Sequence, residues 1–184
     1  MNKVILLDMD GVIADFVGAI FKAHGQIPNY GKWPPGEYDC SKVLGISKSD
    51  LWRTADKDPD FWRNMPLLEN GFKLYEALKT TREIFIATSP SLDPNCAAGK
   101  VEWLQKQFGR NFRNYIITPH KYLMAEAGIL IDDDDERCEK FRRAGGTAIV
   151  YPQPWNSKHE YTDCQLEYTL DVLRPSITTL GFRM

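Results

Sequence analysis

Asp8 and Asp10, one residue apart and followed at once by Gly11, are the first side chains in this sequence able to do chemistry. They close an uninterrupted apolar run, Val4-Ile5-Leu6-Leu7. Side chains two apart on extended backbone point the same way, so both carboxylates can face one point. Like charges held together repel, and a bound cation or a shared proton is the usual offset. A helix-capping role would account for one of the two carboxylates, not for both. Three later positions repeat the pattern of an apolar run stopping at a residue able to handle phosphate or metal. They are Thr88-Ser89, Lys121 and Asp132-Asp133. Each taken singly has a plainer explanation: a turn, a solvated lysine, a complement to a helix dipole. Their order in one chain is what points to phosphoryl transfer. That reaction needs a nucleophile, neutralised equatorial oxygens and a proton for the leaving oxygen.

These residues converge only if the elements before them are parallel strands, because open α/β sheets bind ligands at the C-terminal edge. The run ending at Leu7 is too short for a helix and reads as a strand buried on both faces. Helical spacing of Phe16, Val17, Ile20 and Phe21 predicts a helix over 14–24. From Ile27 to Leu68 the chain is rich in proline and aromatics (Tyr30, Trp33, Tyr38, Trp52, Phe61, Trp62) and has no strand patterning. Ser47 and the Asp58-Pro59-Asp60 stretch read as helix starts there. The βα rhythm then resumes, with strands expected over 83–87, 115–118, 128–131 and 147–150. Helices are expected over 71–80, around Val101–Phe108, over 121–127, 136–144 and 163–173. The fold class predicted is α/β, a doubly wound parallel sheet with right-handed crossovers. Residues 1–15 and 70–184 form its core, and 16–69 a small helical cap inserted after the first strand.

Composition narrows the partners. Hydrophobic residues make up 43% and charged residues 26% of 184, as in ordinary globular domains. A net charge of −2 offers no general attraction to nucleic acid. No apolar stretch approaches a membrane span, so neither membrane nor signal peptide is expected. Cys40, Cys96, Cys138 and Cys164 are scattered without a CxxC pair, which predicts free thiols in a reducing cytoplasm.

Asp-x-Asp-Gly-Val after a buried strand, then Thr88, Lys121 and Asp132, resembles motifs I to IV of the haloacid dehalogenase (HAD) superfamily, a Rossmann-type fold. The resemblance narrows further. Asp-Met-Asp-Gly-Val-Ile-Ala-Asp-Phe, Ile-Ala-Thr-Ser-Pro, Lys100-Val-Glu-Trp-Leu-Gln-Lys-Gln-Phe-Gly, Thr-Pro-His-Lys121 and Leu-Ile-Asp-Asp are similar to the 5′(3′)-deoxyribonucleotidases. These Mg2+-dependent phosphatases act on deoxyribonucleoside monophosphates, especially those of uracil and thymine. The resemblance implies Asp8 as nucleophile, forming an aspartyl phosphate, and Asp10 as general acid and base. It implies Mg2+ on the Asp8 carboxylate, the Asp10 backbone carbonyl and Asp132, with Asp133 in support. Thr88, Ser89, Lys100 and Lys121 would hold the phosphate. Asp134 and Asp135 would cap the next helix. Phe16 would pack on base or sugar, and Trp33, Tyr38, Phe61 and Trp62 could complete a stacking pocket.

Two departures stand against the family pattern. Asp134 and Pro119 occupy positions where the family carries arginine, which predicts less positive charge near the site. The alternative is a HAD phosphatase acting on another small phosphomonoester, such as a sugar phosphate. A non-catalytic relative would carry a broken motif, and no motif is broken here. The partner expected is a small nucleotide, and the cap's aromatics leave room for a homodimer.

Overall fold

The computed structural model describes residues 3–58 and 60–178. Five parallel strands form one sheet: β1 (Val4–Leu7), β2 (Ile84–Thr88), β3 (Tyr115–Ile117), β4 (Gly128–Asp132) and β5 (Thr147–Val150). Their order is β3-β2-β1-β4-β5, so the apolar run nearest the start of the chain is the central strand. Ile5 lies between Ile84 and Ile129 in register, and Leu7 between Ile86 and Ile131. The chain builds outward from β1 to β3 on one side, then returns to add β4 and β5 on the other. Such a reversal opens a crevice at the C-terminal edge of the sheet.

Alternate side chains of the strands feed two cores. Ile5, Leu7, Ile86, Ile129 and Ile131 pack on one face with Phe21, Trp62 and Trp103. Leu6, Ala87 and Leu130 pack on the other with Cys138 and Phe141. Ile5, Leu7 and Ile131 are wholly buried, and each such side chain contributes about 1.5–3 kcal/mol of transfer free energy. This two-sided burial is why the strands read as continuous apolar runs.

The helices of the 16–69 stretch are α1 (Phe16–Ala23), α2 (Cys40–Leu44) and α3 (Lys48–Lys57). The remaining helices are α4 (Glu69–Leu78), α5 (Pro94–Phe108), α6 (Asp135–Arg143) and α7 (Gln165–Thr178). α1 starts two residues later than its periodicity predicts. Ala14 is taken up in backbone bridges to Asp10 and Leu67, and the Asp15 carboxylate caps the helix by accepting from Gly18 N–H at 2.7 Å. Ser47 caps α3 as expected, accepting from Asp50 N–H. Pro59 lies outside the described residues, and beyond it the chain makes a single turn over Trp62–Asn64 rather than a longer helix. The expected helix over 121–127 is likewise one turn, Lys121–Met124, because the chain must enter β4 at Gly128.

The two ends of the 16–69 stretch are tied together. Asp15 N–H donates to Pro66 O at 2.8 Å and Leu68 N–H to Ile13 O at 2.9 Å. α4 then packs so closely on this crossing that a Cβ at Gly71 would lie 1.7 Å from the Val12 carbonyl oxygen. Only glycine fits there.

Candidate active site

β2, β1 and β4 are neighbours, so their C-terminal ends set Thr88, Asp8 and Asp132 in a row. Thr88 and Asp132 are the last residues of their strands, and Asp8 follows Leu7 directly. All three are buried. Asp8 N–H still donates to the Ile131 carbonyl at 2.8 Å, continuing the sheet ladder through the site. The chain then winds round the Met9 carbonyl, which accepts from Ile13 N–H at 2.9 Å and Ala14 N–H at 2.8 Å.

Two lysines organise the carboxylates. Lys121 is buried, with its ammonium 2.7 Å from Asp8 Oδ1 and 2.6 Å from Asp132 Oδ2. Lys100, on the inner side of α5, is also buried. It donates to Asp10 Oδ2 at 2.5 Å, Thr88 Oγ1 at 2.9 Å and the Ser89 carbonyl at 2.7 Å. All three of its protons are thereby used. The Ser89 hydroxyl itself donates to the Thr118 carbonyl at 3.3 Å. Asp10 therefore turns toward Lys100, while its partner Asp8 turns toward Lys121.

Asp133 enters from the β4 end. Its Oδ2 accepts from Trp155 Nε1–H at 2.7 Å, and Asn156 Nδ2 donates to its backbone carbonyl at 2.9 Å. A Cβ at Gly11 would stand 2.2 Å from Asp133 Oδ2, and Gly11 has φ +74°. Glycine is required there both for the turn and for the approach of that carboxylate. Gln153 Nε2 donates to the Gly11 carbonyl at 2.5 Å, so the loop after β5 braces the first turn of the site. Sequence reading assigned Trp155, Asn156 and Gln153 no role. Their position just past the C-terminal end of a strand was the available signal.

The acidic residues after Asp133 divide their work differently from expectation. Asp134 caps α6, accepting from Glu136 and Arg137 N–H. Asp135 caps nothing and instead holds Ser157, accepting from its N–H at 2.8 Å and its hydroxyl at 2.5 Å. The positive charge that Asp134 does not provide is supplied from another position. Arg137, one helical turn on, brings its Nη1 to 3.6 Å from Asp8 Oδ2 and 3.9 Å from Asp132 Oδ1. Sequence reading missed it because a lone arginine in an acidic helix start looks solvated.

Burial, with Asp132 alongside, pushes the Asp8 carboxyl up to about 7 despite Lys121 and Arg137. Burial likewise carries Asp133 well above the usual carboxylate range, with Asp132 and Asp8 adding to it. Burial opposes ionisation of Asp132 too, but Lys121 and Arg137 outweigh it and hold that group low. The site is thus short of positive charge. Asp8, Asp132 and Asp133 can each offer an oxygen, all within 4.8 Å of one another. Asp8 Oδ2 is buried without a hydrogen-bond donor. A set of hard oxygens with one unpaired is what a small divalent cation requires.

A cavity of about 650 Å³ opens onto this floor. Asp10, Ser89, Lys100, Asp133 and Arg137 line its base, and Phe16, Tyr38, Trp52, Trp62 and Leu92 its walls. Phe16 and Trp52 both lie nearly parallel to Trp62, at 5.8 and 6.5 Å between centroids respectively. Two residues expected in the pocket are placed elsewhere. Phe61 sits edge-on behind Trp62 at 5.0 Å. Trp33 packs on Trp155 at 5.6 Å, donates to the Glu37 carbonyl, and lines a second cavity instead. Lys121, Asp8, Thr88 and Asp132 are buried and are all absent from the residues lining the main cavity, which reaches the site through Asp10, Lys100 and Asp133. Cys40, Cys96, Cys138 and Cys164 are free. Among the described residues, no helix is long and apolar enough to cross a membrane.

Comparison with known proteins adds kinship to this geometry. Residues 2–166 match the family model described as "5′ nucleotidase, deoxy (Pyrimidine), cytosolic type C protein". A 5′(3′)-deoxyribonucleotidase of Bacillus subtilis (strain 168) is 25% identical over 158 residues, 85% of this chain and 88% of the relative. The mitochondrial 5′(3′)-deoxyribonucleotidase of Mus musculus is 30% identical over 141 residues, 70% of this chain and 63% of that one. In fold, the chain is similar to a HAD family hydrolase from Deinococcus radiodurans R1 with bound phosphate and sodium. The TM-score is 0.57 at 11% identity, covering 95% of this chain and 96% of the other.

Proposed function

This chain belongs to the 5′(3′)-deoxyribonucleotidase family of HAD phosphoric monoester hydrolases, and from that premise we propose that it hydrolyses deoxyribonucleoside monophosphates of the dUMP and dTMP kind. The observation that carries the reading is the cavity itself. Its floor joins Asp10, Lys100 and Asp133, and its walls are flat aromatic surfaces of nucleobase size. Phosphate and base would thus be held at opposite ends of one chamber, whose far wall is supplied by residues 16–69 acting as a cap.

In this reading the Asp8 carboxylate attacks phosphorus, the bond to the nucleoside oxygen breaks, and an aspartyl phosphate forms. Asp10 gives its proton to the departing alkoxide and then takes one from the water that opens the aspartyl phosphate. Lys100 ties that acid to Thr88 and the Ser89 backbone, so proton donor and phosphate cradle move as one unit. Lys121 fixes the rotamers of Asp8 and Asp132 from below. Mg2+, held by Asp8, the Asp10 carbonyl and Asp132 with Asp133 in support, would supply the positive charge that lets the phosphoryl dianion approach a carboxylate. The stacking walls of Phe16, Trp52 and Trp62 would orient the base, and an apolar sugar site would disfavour an unpartnered ribose hydroxyl.

The test is release of inorganic phosphate from a panel of deoxyribo- and ribonucleoside monophosphates beside sugar phosphates, with Mg2+ and with chelator. Preference for deoxy pyrimidine substrates with full dependence on the metal is expected. Faster turnover of sugar phosphates would replace the nucleotide reading with the broader phosphatase one.

A further inference from the structure

Lys121 and Arg137 approach the Asp8–Asp132 pair from different edges. Lys121 bonds Asp8 Oδ1 and Asp132 Oδ2, at 2.7 and 2.6 Å. Arg137 Nη1 faces the other two oxygens, Asp8 Oδ2 and Asp132 Oδ1, at 3.6 and 3.9 Å. Those distances are too long for hydrogen bonds, and Asp8 Oδ2 is left without a donor despite its burial. The guanidinium is anchored instead through Nε, 3.3 Å from Asp134 Oδ2 on the first turn of its own helix. Its side chain is 36% exposed and lines the main cavity beside Tyr38 and Asp133. On that edge Asp132 Oδ1 accepts only from the Asp134 backbone N–H at 3.0 Å, and Asp8 Oδ2 from nothing, so both keep lone pairs for a divalent ion. A fixed positive charge therefore hovers over the ligand edge without engaging it, and is hinged at a point outside the carboxylate pair.

We propose that Arg137 couples metal binding to substrate binding. In the metal-free protein its guanidinium screens the Asp8–Asp132 edge and competes with the incoming divalent cation. Once the cation neutralises that edge, the guanidinium is released to the cavity, where its planar fork is matched to a phosphate dianion. Asp134, which takes the place of arginine in the family pattern, becomes the counter-ion that keeps Arg137 at the rim. The substrate half of this coupling rests on the phosphatase reading. The metal half does not.

The experiment compares wild type with Arg137→Gln and Arg137→Lys. Mn2+ serves as the probe, its free ion counted by electron paramagnetic resonance. Inorganic phosphate binding to the Mn2+-saturated proteins is measured by calorimetry. Arg137→Gln is expected to bind Mn2+ at least tenfold more tightly and phosphate at least tenfold more weakly, with Arg137→Lys between the two. The sign separates coupling from damage, since a distorted site would bind metal more weakly. Unchanged or weaker Mn2+ affinity in Arg137→Gln overturns the proposal, and so does unchanged phosphate affinity. Both titrations are independent of turnover, so a substrate panel without phosphate release would sink the nucleotidase reading while these measurements still decided the role of Arg137.

Discussion

Lys100 Nζ lies 2.5 Å from Asp10 Oδ2, joining residues ninety positions apart in sequence at the floor of the cavity. The same ammonium holds the Thr88 hydroxyl and the Ser89 carbonyl. Lys100→Met keeps the side chain's length and apolar stem but removes every one of those hydrogen bonds. A loss of about 10²–10³-fold in kcat is expected, the scale seen when one positioned charge-stabilising donor is removed. Steady-state phosphate release checks this, and kcat within a few-fold of wild type would remove Lys100 from the phosphate cradle.

Asp10→Asn tests the proton donor through the leaving group. A nucleoside alkoxide needs protonation to depart, whereas an activated aryl phosphate leaves without it. The variant should lose far more activity on a nucleoside monophosphate than on an aryl phosphate. Equal losses on both would contradict the assignment.

Asp8 makes metal-free stability pH-dependent, with a definite sign. Its carboxyl titrates at about 7 when folded, against an ordinary value of 3.8. The folded state therefore binds more protons than the unfolded one between those values. This contribution to stability is complete below about pH 4 and is lost as pH rises toward 7. Urea midpoints in chelator should fall across that interval, and saturating Mg2+ should remove the decline by neutralising the site. Asp8→Asn should make the decline in chelator shallower, the remainder belonging to Asp133, which burial also raises, while abolishing turnover. A decline as steep in Asp8→Asn as in wild type would assign it to another group.

Trp155→Phe leaves the tilted ring contact with Trp33 largely intact but deletes the indole donor to Asp133, 2.7 Å away. A buried acceptor stripped of its partner costs about 1–3 kcal/mol. The variant should be less stable by that amount, with a lower melting midpoint, and bind divalent metal more weakly. A wild-type melting midpoint would show that the Trp155–Asp133 bond has no hold on the site.

The sheet was legible because its evidence is local. Short apolar runs ending in polar residues disclose parallel strands whatever packs around them, and Asp8, Thr88 and Asp132 are where such runs stop. The order of motifs then carried the family resemblance and with it Asp10, Lys100 and Lys121. Side-chain direction outside the strands is not local in that sense. Tyr38 and Trp62 reach the cavity while Trp33 and Phe61 turn away. That choice depends on how residues 16–69 fold back over the sheet, through contacts such as Asp15 with Pro66 and Leu68 with Ile13. Arg137 shows the same division. The helical phase that turns it back toward Asp8 follows from where Asp134 caps α6, and its electrostatic meaning exists only once β1 and β4 are adjacent. The amino-acid order by itself determined which groups could do the chemistry, because residue type and strand ends are written in it. Which edges of those groups are paired, and which stay open to metal or substrate, was decided by tertiary packing alone.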